Sequence, residues 1–150
     1  MKAETRFFGE IEYEESELLH FPKGLFGFEE EQRFLLLSYP NNEMLFSLQS
    51  VQTPGLCFTL LHPFSLAPEY APVLQREELR SLGVERSEEL CYYVLCAVKK
   101  PVSDSTVNMR CPVAVNAETR QALQVILEDD DWQMRHRLSE FAAEGGAAEC

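Results

Sequence analysis

The sequence is short of positive charge. Its 150 residues include 13 lysines and arginines against 25 aspartates and glutamates, a formal net charge of −12. A surface of this sign repels phosphate backbones and attracts cationic partners. We therefore expect no direct nucleic-acid binding, although an excess of acids can also serve solubility alone.

Long apolar runs and a secretion leader are missing too. The longest apolar stretch, residues 91–98, is far shorter than the ~18 residues that span a bilayer. An acid stands at Glu4, and no apolar segment precedes Glu10, so the N-terminal region lacks the pattern of a signal peptide. We expect a cytoplasmic protein with no membrane partner.

Residue patterns for catalysis or metal binding are sparse. The five cysteines form no CxxC pair, which fits free thiols in a reducing compartment. Cys57 and His62 are the nearest candidates for a nucleophilic pair, but no local signature supplies a third, orienting group. Gly24 and Gly27 lead into glutamates that would repel a phosphate, and the acids at 128–131 lack the spacing of a calcium loop. We expect no catalytic residue, cofactor or metal.

Short strands separated by turns make up most of the sequence. Alternating or continuous apolar residues, bounded by proline, glycine and asparagine, predict strands. A turn with two glycines is expected near residues 21–28, and a helical turn at 29–32. The number of strands favours a mainly β fold, a small closed or partly closed antiparallel β-barrel-like domain. The predicted strands cover residues 5–13, 18–21, 34–39, 45–50, 57–61, 90–99, 106–116 and 121–127.

Two helices interrupt this pattern. Residues 76–82, followed by Gly83, predict a short helix, whereas the prolines of residues 63–72 predict irregular structure. Apolar residues at helical spacing after the acidic run predict a C-terminal amphipathic helix over about residues 130–144. One domain over residues 1–144 would contain both helices, with a flexible tail at 145–150.

Aromatic and acidic residues supply the candidate partner-binding positions. Aromatic side chains are enriched at binding hot spots, although most of those in a chain of this size belong to the core. The acidic run would attract a basic partner. The candidates are Phe64, Tyr70, Tyr92, Tyr93 and Trp132, together with Glu128, Asp129, Asp130 and Asp131.

Ordered motifs along the chain resemble the FliW family of flagellar assembly factors. The resemblance runs from about residue 7 to residue 138. Its motifs are Phe8-Gly9-Glu10-Ile11-Glu12, His20-Phe21-Pro22-Lys23-Gly24, Gly27-Phe28-Glu29, Leu48-Gln49-Ser50-Val51, His62-Pro63-Phe64, Leu82-Gly83, residues 108–116, Gln124-Val125-Ile126-Leu127 and Arg135-His136. Four positions depart from the family pattern: Phe26, Ala122, Trp132 and Arg137 stand where proline, glycine, tyrosine and proline are usual. Without proline at position 137, a longer terminal helix is expected.

The resemblance implies a non-enzymatic switch between two protein partners. Proteins of this family bind flagellin in the cytoplasm and also bind CsrA, a basic RNA-binding translational repressor. Once flagellin is exported, the freed protein would remove CsrA from the flagellin message. The implied fold is a small β-barrel-like domain, and we expect a monomer. Two alternatives are a flagellin chaperone without a role in translation and a small Cys/His hydrolase.

Overall fold

One antiparallel sheet forms the framework of the chain in a computed structural model, which describes residues 1–142. The predicted tail at 145–150 and the last two residues of the predicted domain lie outside this part. The strands are β1 Lys2–Glu4, β2 Glu10–Glu12, β3 Leu19–His20, β4 Arg33–Tyr39, β5 Asn42–Ser50, β6 Cys57–Leu61, β7 Cys91–Ala97, β8 Thr106–Val107, β9 Val113–Val115, β10 Ala122–Gln124 and β11 His136–Arg137. The α-helices are α1 Pro63–Leu66, α2 Arg76–Ser81 and α3 Leu138–Ala142, and 3₁₀ turns lie at Glu15–Glu17, Ser87–Glu89 and Val102–Asp104.

The sheet curls into a partly closed barrel, which confirms the predicted fold class. Its strand order is β10-β9-β7-β6-β5-β4-β3, with every neighbouring pair antiparallel. A single bridge between His20 and Gln121 joins the two ends, and the His20 amide donates to the carbonyl of Arg120 at 2.9 Å. The last residues of β7 also pair with β8, which in turn pairs with β11.

Alternate side chains of the strands fill the barrel interior. Phe34, Leu48 and Leu60 come from three adjacent strands and are fully buried. Phe34 contacts Phe21 edge-on, with 5.2 Å between ring centroids. This interior is apolar, so burial supplies its stability. Its other buried members are Leu19, Leu25, Val113, Val115 and Ala122.

The outer faces of the barrel are covered by the remaining segments. The β1–β2 hairpin packs on β4, where Ala3, Tyr13 and Leu18 surround Leu35. Helix α1, the segment after it and residues 125–141 pack over β7 and its neighbours. Among the described residues, no helix has the length and apolarity to cross a membrane.

The predicted glycine turn is present and places two anchors in the interior. Gly24 has φ +65°, and a Cβ there would lie 2.5 Å from the carbonyl oxygen of Phe28. Only glycine fits this conformation and this close approach. The turn buries Phe21 and Leu25 while Phe26 stays exposed. The predicted helical turn at 29–32 is absent; those residues form a turn and extended chain.

Several predicted boundaries are wrong. In place of the single strand expected over residues 5–13, the chain turns at residues 5–9, and β2 pairs back onto β1 as a hairpin. The strand expected over residues 106–116 is broken, since the Asn108 side chain accepts a hydrogen bond from the Cys111 amide and closes a turn between β8 and β9. Residues 63–66 are helical, with proline at the first helical position, where its missing N–H costs nothing.

The C-terminal helix begins at Leu138, not near residue 130. Residues 128–131 form a turn in which the Asp129 carboxylate accepts the Asp131 amide. His136 and Arg137 then pair with β8 as strand β11. Pairing with an exposed strand edge thus overrides the helical spacing of the apolar residues. Arg137 does not lengthen the helix at its start, and residues 143–144 of the prediction lie beyond the described part.

Candidate protein interaction face

Six ring side chains from distant segments form a continuous row on the outside of the barrel. We call Phe64, Tyr70, Tyr92, Trp132, His136 and Phe141 the aromatic row. Successive ring centroids lie 5.8 Å apart from Phe64 to Tyr70, 5.0 Å from Tyr70 to Trp132 and 5.9 Å from Trp132 to His136. These spacings and near-perpendicular planes are favourable edge-to-face contacts. Four of the five aromatic residues proposed from the sequence as partner-binding candidates therefore lie in one cluster.

Two members of the row, Tyr70 and Tyr92, are buried beneath its exposed rings. Tyr70 and Tyr92 are only 3% and 4% exposed. Their hydroxyls donate to the carbonyls of Met109 and Ser87, each at 2.7 Å. Burial raises the pKa of both phenols, to about 12 for Tyr92. A partner can reach these two rings only if the surface opens, whereas Phe64 remains 42% exposed and Trp132 partly exposed.

His136 connects the row to helix α3. The Gln133 amide donates to its Nε2 at 2.8 Å, so Nε2 is the acceptor nitrogen and Nδ1 carries the proton. Nδ1 in turn donates to Glu140 at 3.1 Å. This bond, followed by the bond from the Arg137 amide, lowers the pKa of the Glu140 carboxyl. The ring is therefore fixed in one orientation beside Trp132.

The acidic run lies directly beside the exposed part of the row. We call residues 128–131 the acidic turn; all four side chains are exposed, and Trp132 follows at once. Arg110 holds Asp130 at 3.4 Å, but this exposed pair is weak. Glu128 accepts from the Gln75 side chain at 3.0 Å. The arrangement presents a negative rim next to an aromatic surface, the combination expected for a basic partner with apolar anchors.

Tyr93 does not belong to this face. It lies on the opposite side of β7 from Tyr92 and contacts Phe46 and His62 at one end of the barrel interior, with centroids 5.4 and 5.2 Å away. Alternation along the strand places these two neighbouring tyrosines, both candidates from the sequence, on opposite faces.

The candidate nucleophilic pair is not assembled. Cys57 and His62 stand at the first residue of β6 and just after its last, so the strand separates them by roughly 16 Å. His62 contacts aromatic rings instead. Burial raises the pKa of the Cys96 thiol to about 11 and also raises that of Cys111, which disfavours thiolates. Within residues 1–142, no cluster of three or more potential metal ligands occurs.

Three residues of the face were not among the sequence-based candidates. His136 and Phe141 extend the row, and Arg110 pairs with the acidic turn. The position of His136 and Phe141 depends on β11 pairing with β8, a contact between residues about thirty positions apart. No local pattern signals such a contact.

Comparisons with known proteins agree with this architecture. The family model described as FliW protein matches residues 2–138. The flagellar assembly factor FliW of Geobacillus kaustophilus (strain HTA426) is 37% identical over 138 residues, covering 92% of this chain and 95% of the relative. The protein of the same name from Syntrophomonas wolfei is 35% identical, covering 92% of this chain and 88% of that one.

A solved structure has the same fold. The crystal structure of the flagellar assembly factor FliW superposes with a TM-score of 0.85 at 36% identity, covering 92% of this chain and 96% of that chain. With the family model spanning nearly all the described residues, the barrel with its outer covering is the shared architecture. This chain belongs to the FliW family of flagellar assembly factors.

Proposed function

We propose that this protein is a non-enzymatic, cytoplasmic assembly factor that binds flagellin and CsrA, and thereby couples flagellin translation to flagellin export. Membership of the FliW family supplies the flagellar role. The observation that supports CsrA binding is the acidic turn beside Trp132, whose ring connects through Tyr70 to Phe64. A translational repressor that holds RNA must present basic surface, which this rim complements.

Like-charge exclusion is the proposed means of antagonism. An acidic protein docked beside the RNA site repels the phosphates without occupying that site. The excess carboxylates lie at Glu14 and Glu15, at residues 29–31 and in the acidic turn. Glu29 and Glu31 accept hydrogen bonds from Gly27 and Thr53, so they also hold turns of the protein. Glu14, Glu15, Glu30 and the acidic turn are therefore the groups to neutralise.

Flagellin binding calls for apolar contact. The proposed ligand is an amphipathic segment of flagellin, which would place apolar side chains against Phe64 and Trp132. Tyr70 and His136 hold these rings from behind. Both partners would then use overlapping surface, so flagellin and CsrA would exclude each other.

The first experiment removes the charge of the acidic turn. The variant E128Q/D129N/D130N/D131N keeps an acceptor at position 129 for the Asp131 amide. We expect calorimetric titration with CsrA to show affinity reduced by at least about tenfold, or about 1.4 kcal/mol, with a greater reduction at low salt. Full affinity in this variant would contradict the proposal.

A charge-matched control separates local contact from overall charge. The variant E4Q/E43Q/E85Q/E118Q removes four exposed carboxylates elsewhere on the chain. It should bind CsrA nearly as well as the unmodified protein. If both variants bind equally weakly, net charge and not this face determines binding.

RNA displacement tests the exclusion mechanism separately. Neutralising Glu14, Glu15, Glu30 and the acidic turn together should weaken displacement of RNA from CsrA at low salt, measured by fluorescence anisotropy of labelled RNA under saturating conditions. Unchanged displacement by the saturated complex would exclude the like-charge mechanism.

A chaperone that binds only flagellin is the second candidate, since an apolar surface beside Phe64 could serve flagellin alone. Titrations of the acidic-turn variant with both partners distinguish the two. Loss of CsrA binding with flagellin binding retained favours two functions. The absence of any CsrA binding by the unmodified protein favours the chaperone.

A further inference from the structure

The barrel has an open edge at the upper half of β4. Strand β3 pairs with Arg33 and Phe34 only, whereas β5 pairs with β4 in regular register from Phe34 to Ser38, followed by a register shift before Tyr39. Among the described residues, no strand pairs with residues 36–38 on the side away from β5. We call this unpaired stretch, which faces Arg120, the seam.

The backbone groups at the seam can be assigned from the alternation of an antiparallel ladder. The Val51 amide donates to the carbonyl of Arg33, on the β5 side, and the Phe21 amide donates to the carbonyl of Gln32, on the β3 side. Odd-numbered residues of β4 therefore direct their N–H and C=O toward β5, and even-numbered ones toward β3. Leu36 and Ser38 accordingly offer their backbone groups to the seam.

A cavity of about 280 Å³ lies along this edge. Its wall includes Leu36, which faces the barrel interior, and Leu35 and Leu37, which face outward, so the cavity borders the edge of the strand itself. Ile11 and Tyr13 of the N-terminal segment also line it and pack with Leu35 and Leu37. The space is lined by polar as well as apolar side chains and borders free backbone donors and acceptors, which an added strand can use.

Arg120 at the far side of the seam is locally strained. Its φ is +65°, uncommon for a residue with a side chain, and its buried Nε–H has no acceptor among the described residues. Its Nη2 donates to the carbonyl of Glu17 at 2.7 Å, which holds the N-terminal segment across the gap. Such costs concentrate where a structure serves binding.

Charge determines what the seam can accept. Glu12 and Glu17 line the cavity, the Glu17 carboxylate also accepts the Glu14 amide, and Glu14 and Glu15 are exposed in the neighbouring turn. Within the part of the chain that the structure describes, Arg120 is the one cation lining the cavity. A second copy of this chain would bring the same carboxylates together, which disfavours self-pairing. The rim complements a basic segment.

We propose that the seam binds an extended peptide with a short apolar core and flanking lysines or arginines, which adds a strand to β4 through Leu36 and Ser38. This inference does not depend on the proposed function, because the seam and the aromatic row involve different residues and neither needs the other.

The test uses a fluorescein-labelled peptide, Lys-Lys-Val-Thr-Val-Lys-Lys, and two matched controls. One control has glutamates in place of the lysines, and the other has proline in place of threonine, which removes a ladder donor. We expect the lysine peptide to bind at least about tenfold more tightly than either control, by anisotropy. Equal affinities, or no binding of the lysine peptide, would overturn the proposal.

Variants of the protein locate the binding edge. Ser38→Pro removes an N–H that points away from β5, and proline is tolerated at such a position. We expect it to weaken peptide binding about tenfold, while Ser38→Ala has little effect. Glu12→Lys should also weaken binding of the lysine peptide, which provides a second readout if Ser38→Pro unfolds.

Amide exchange measured by NMR gives the most specific evidence. Bound peptide should slow exchange at Leu36 and Ser38 and leave Leu35 and Leu37 unchanged, because the latter already donate toward β5. Slowing confined to the aromatic row would place the peptide elsewhere and contradict strand addition.

Discussion

The barrel interior and the aromatic row both contain bulky side chains with much apolar surface, yet different forces hold them. Phe34 and Leu48 in the interior have no polar side-chain atom and are fully buried. In the row, Tyr70 and His136 each make directed hydrogen bonds, to Met109 and to Gln133 with Glu140. Burial gives the interior its stability, whereas the hydrogen bonds give the row its orientation. We therefore expect substitution of Phe64 and Trp132, the more exposed members of the row, to leave the barrel folded, whereas Tyr70 and Tyr92 belong to the buried outer cluster.

The largest effect on stability is expected in the interior. Phe34→Ala removes a fully buried ring that contacts Phe21 and Phe58. The loss of apolar contact and the resulting cavity should lower the free energy of unfolding by about 3–5 kcal/mol. Urea denaturation followed by circular dichroism measures it. Phe26→Ala, at an exposed ring in the preceding glycine turn, is the control and should change stability by less than about 0.5 kcal/mol.

A smaller loss is expected where the row is anchored. Tyr70→Phe keeps the ring but leaves the Met109 carbonyl without its donor, which should cost about 1–3 kcal/mol of unfolding free energy. The same denaturation measurement applies. A cost as large as that of Phe34→Ala would show that the row is part of the same packed core and would remove the contrast.

Substitution of Trp132 should affect partner binding more than stability. Trp132→Ala removes the edge contacts to Tyr70 and His136, worth about 1 kcal/mol in stability. The affinity for CsrA should fall at least about tenfold, because an exposed aromatic anchor is lost. Trp132→Phe, which keeps an aromatic ring, should retain most of the affinity. A Trp132→Ala protein that loses stability but keeps its full affinity for CsrA would contradict this division.

The smallest effect concerns pH. The pKa of Glu140 is lower in the folded protein than its ordinary value of 4.5, so its bonds stabilise the fold above that pH. The stabilisation is lost as the pH falls through the folded pKa. The stability difference between the unmodified protein and Glu140→Gln should therefore shrink as pH falls below about 4.5. A difference that stays constant down to pH 3 would show that the carboxylate charge is not involved.

Local patterns predicted the barrel but not its outer covering. The strand at residues 57–61 matches the observed bounds, since its apolar run lies in the middle of the sheet. The helix predicted from residue 130 failed because His136 and Arg137 gain more by pairing with β8 than by continuing a helix. The acids before it resemble a helix N-terminus but close a turn through Asp129.

The two proposed surfaces depend on contacts that are distant in sequence. Phe64, Tyr70 and Trp132, each a candidate from the sequence, lie in one cluster that the sequence itself did not predict. Only strand alternation distinguishes Tyr92 on the outer face from Tyr93 on the inner one. The seam arises because β3 is only two residues long, and no sequence pattern states where pairing stops.

Hydrogen exchange of the complex with CsrA tests the central claim most directly. We expect saturating CsrA to slow exchange in residues 126–137 and in α1, and to leave the ladder between β4 and β5 unchanged. Protection confined to other parts of the barrel, with none across the acidic turn and Trp132, would contradict the account.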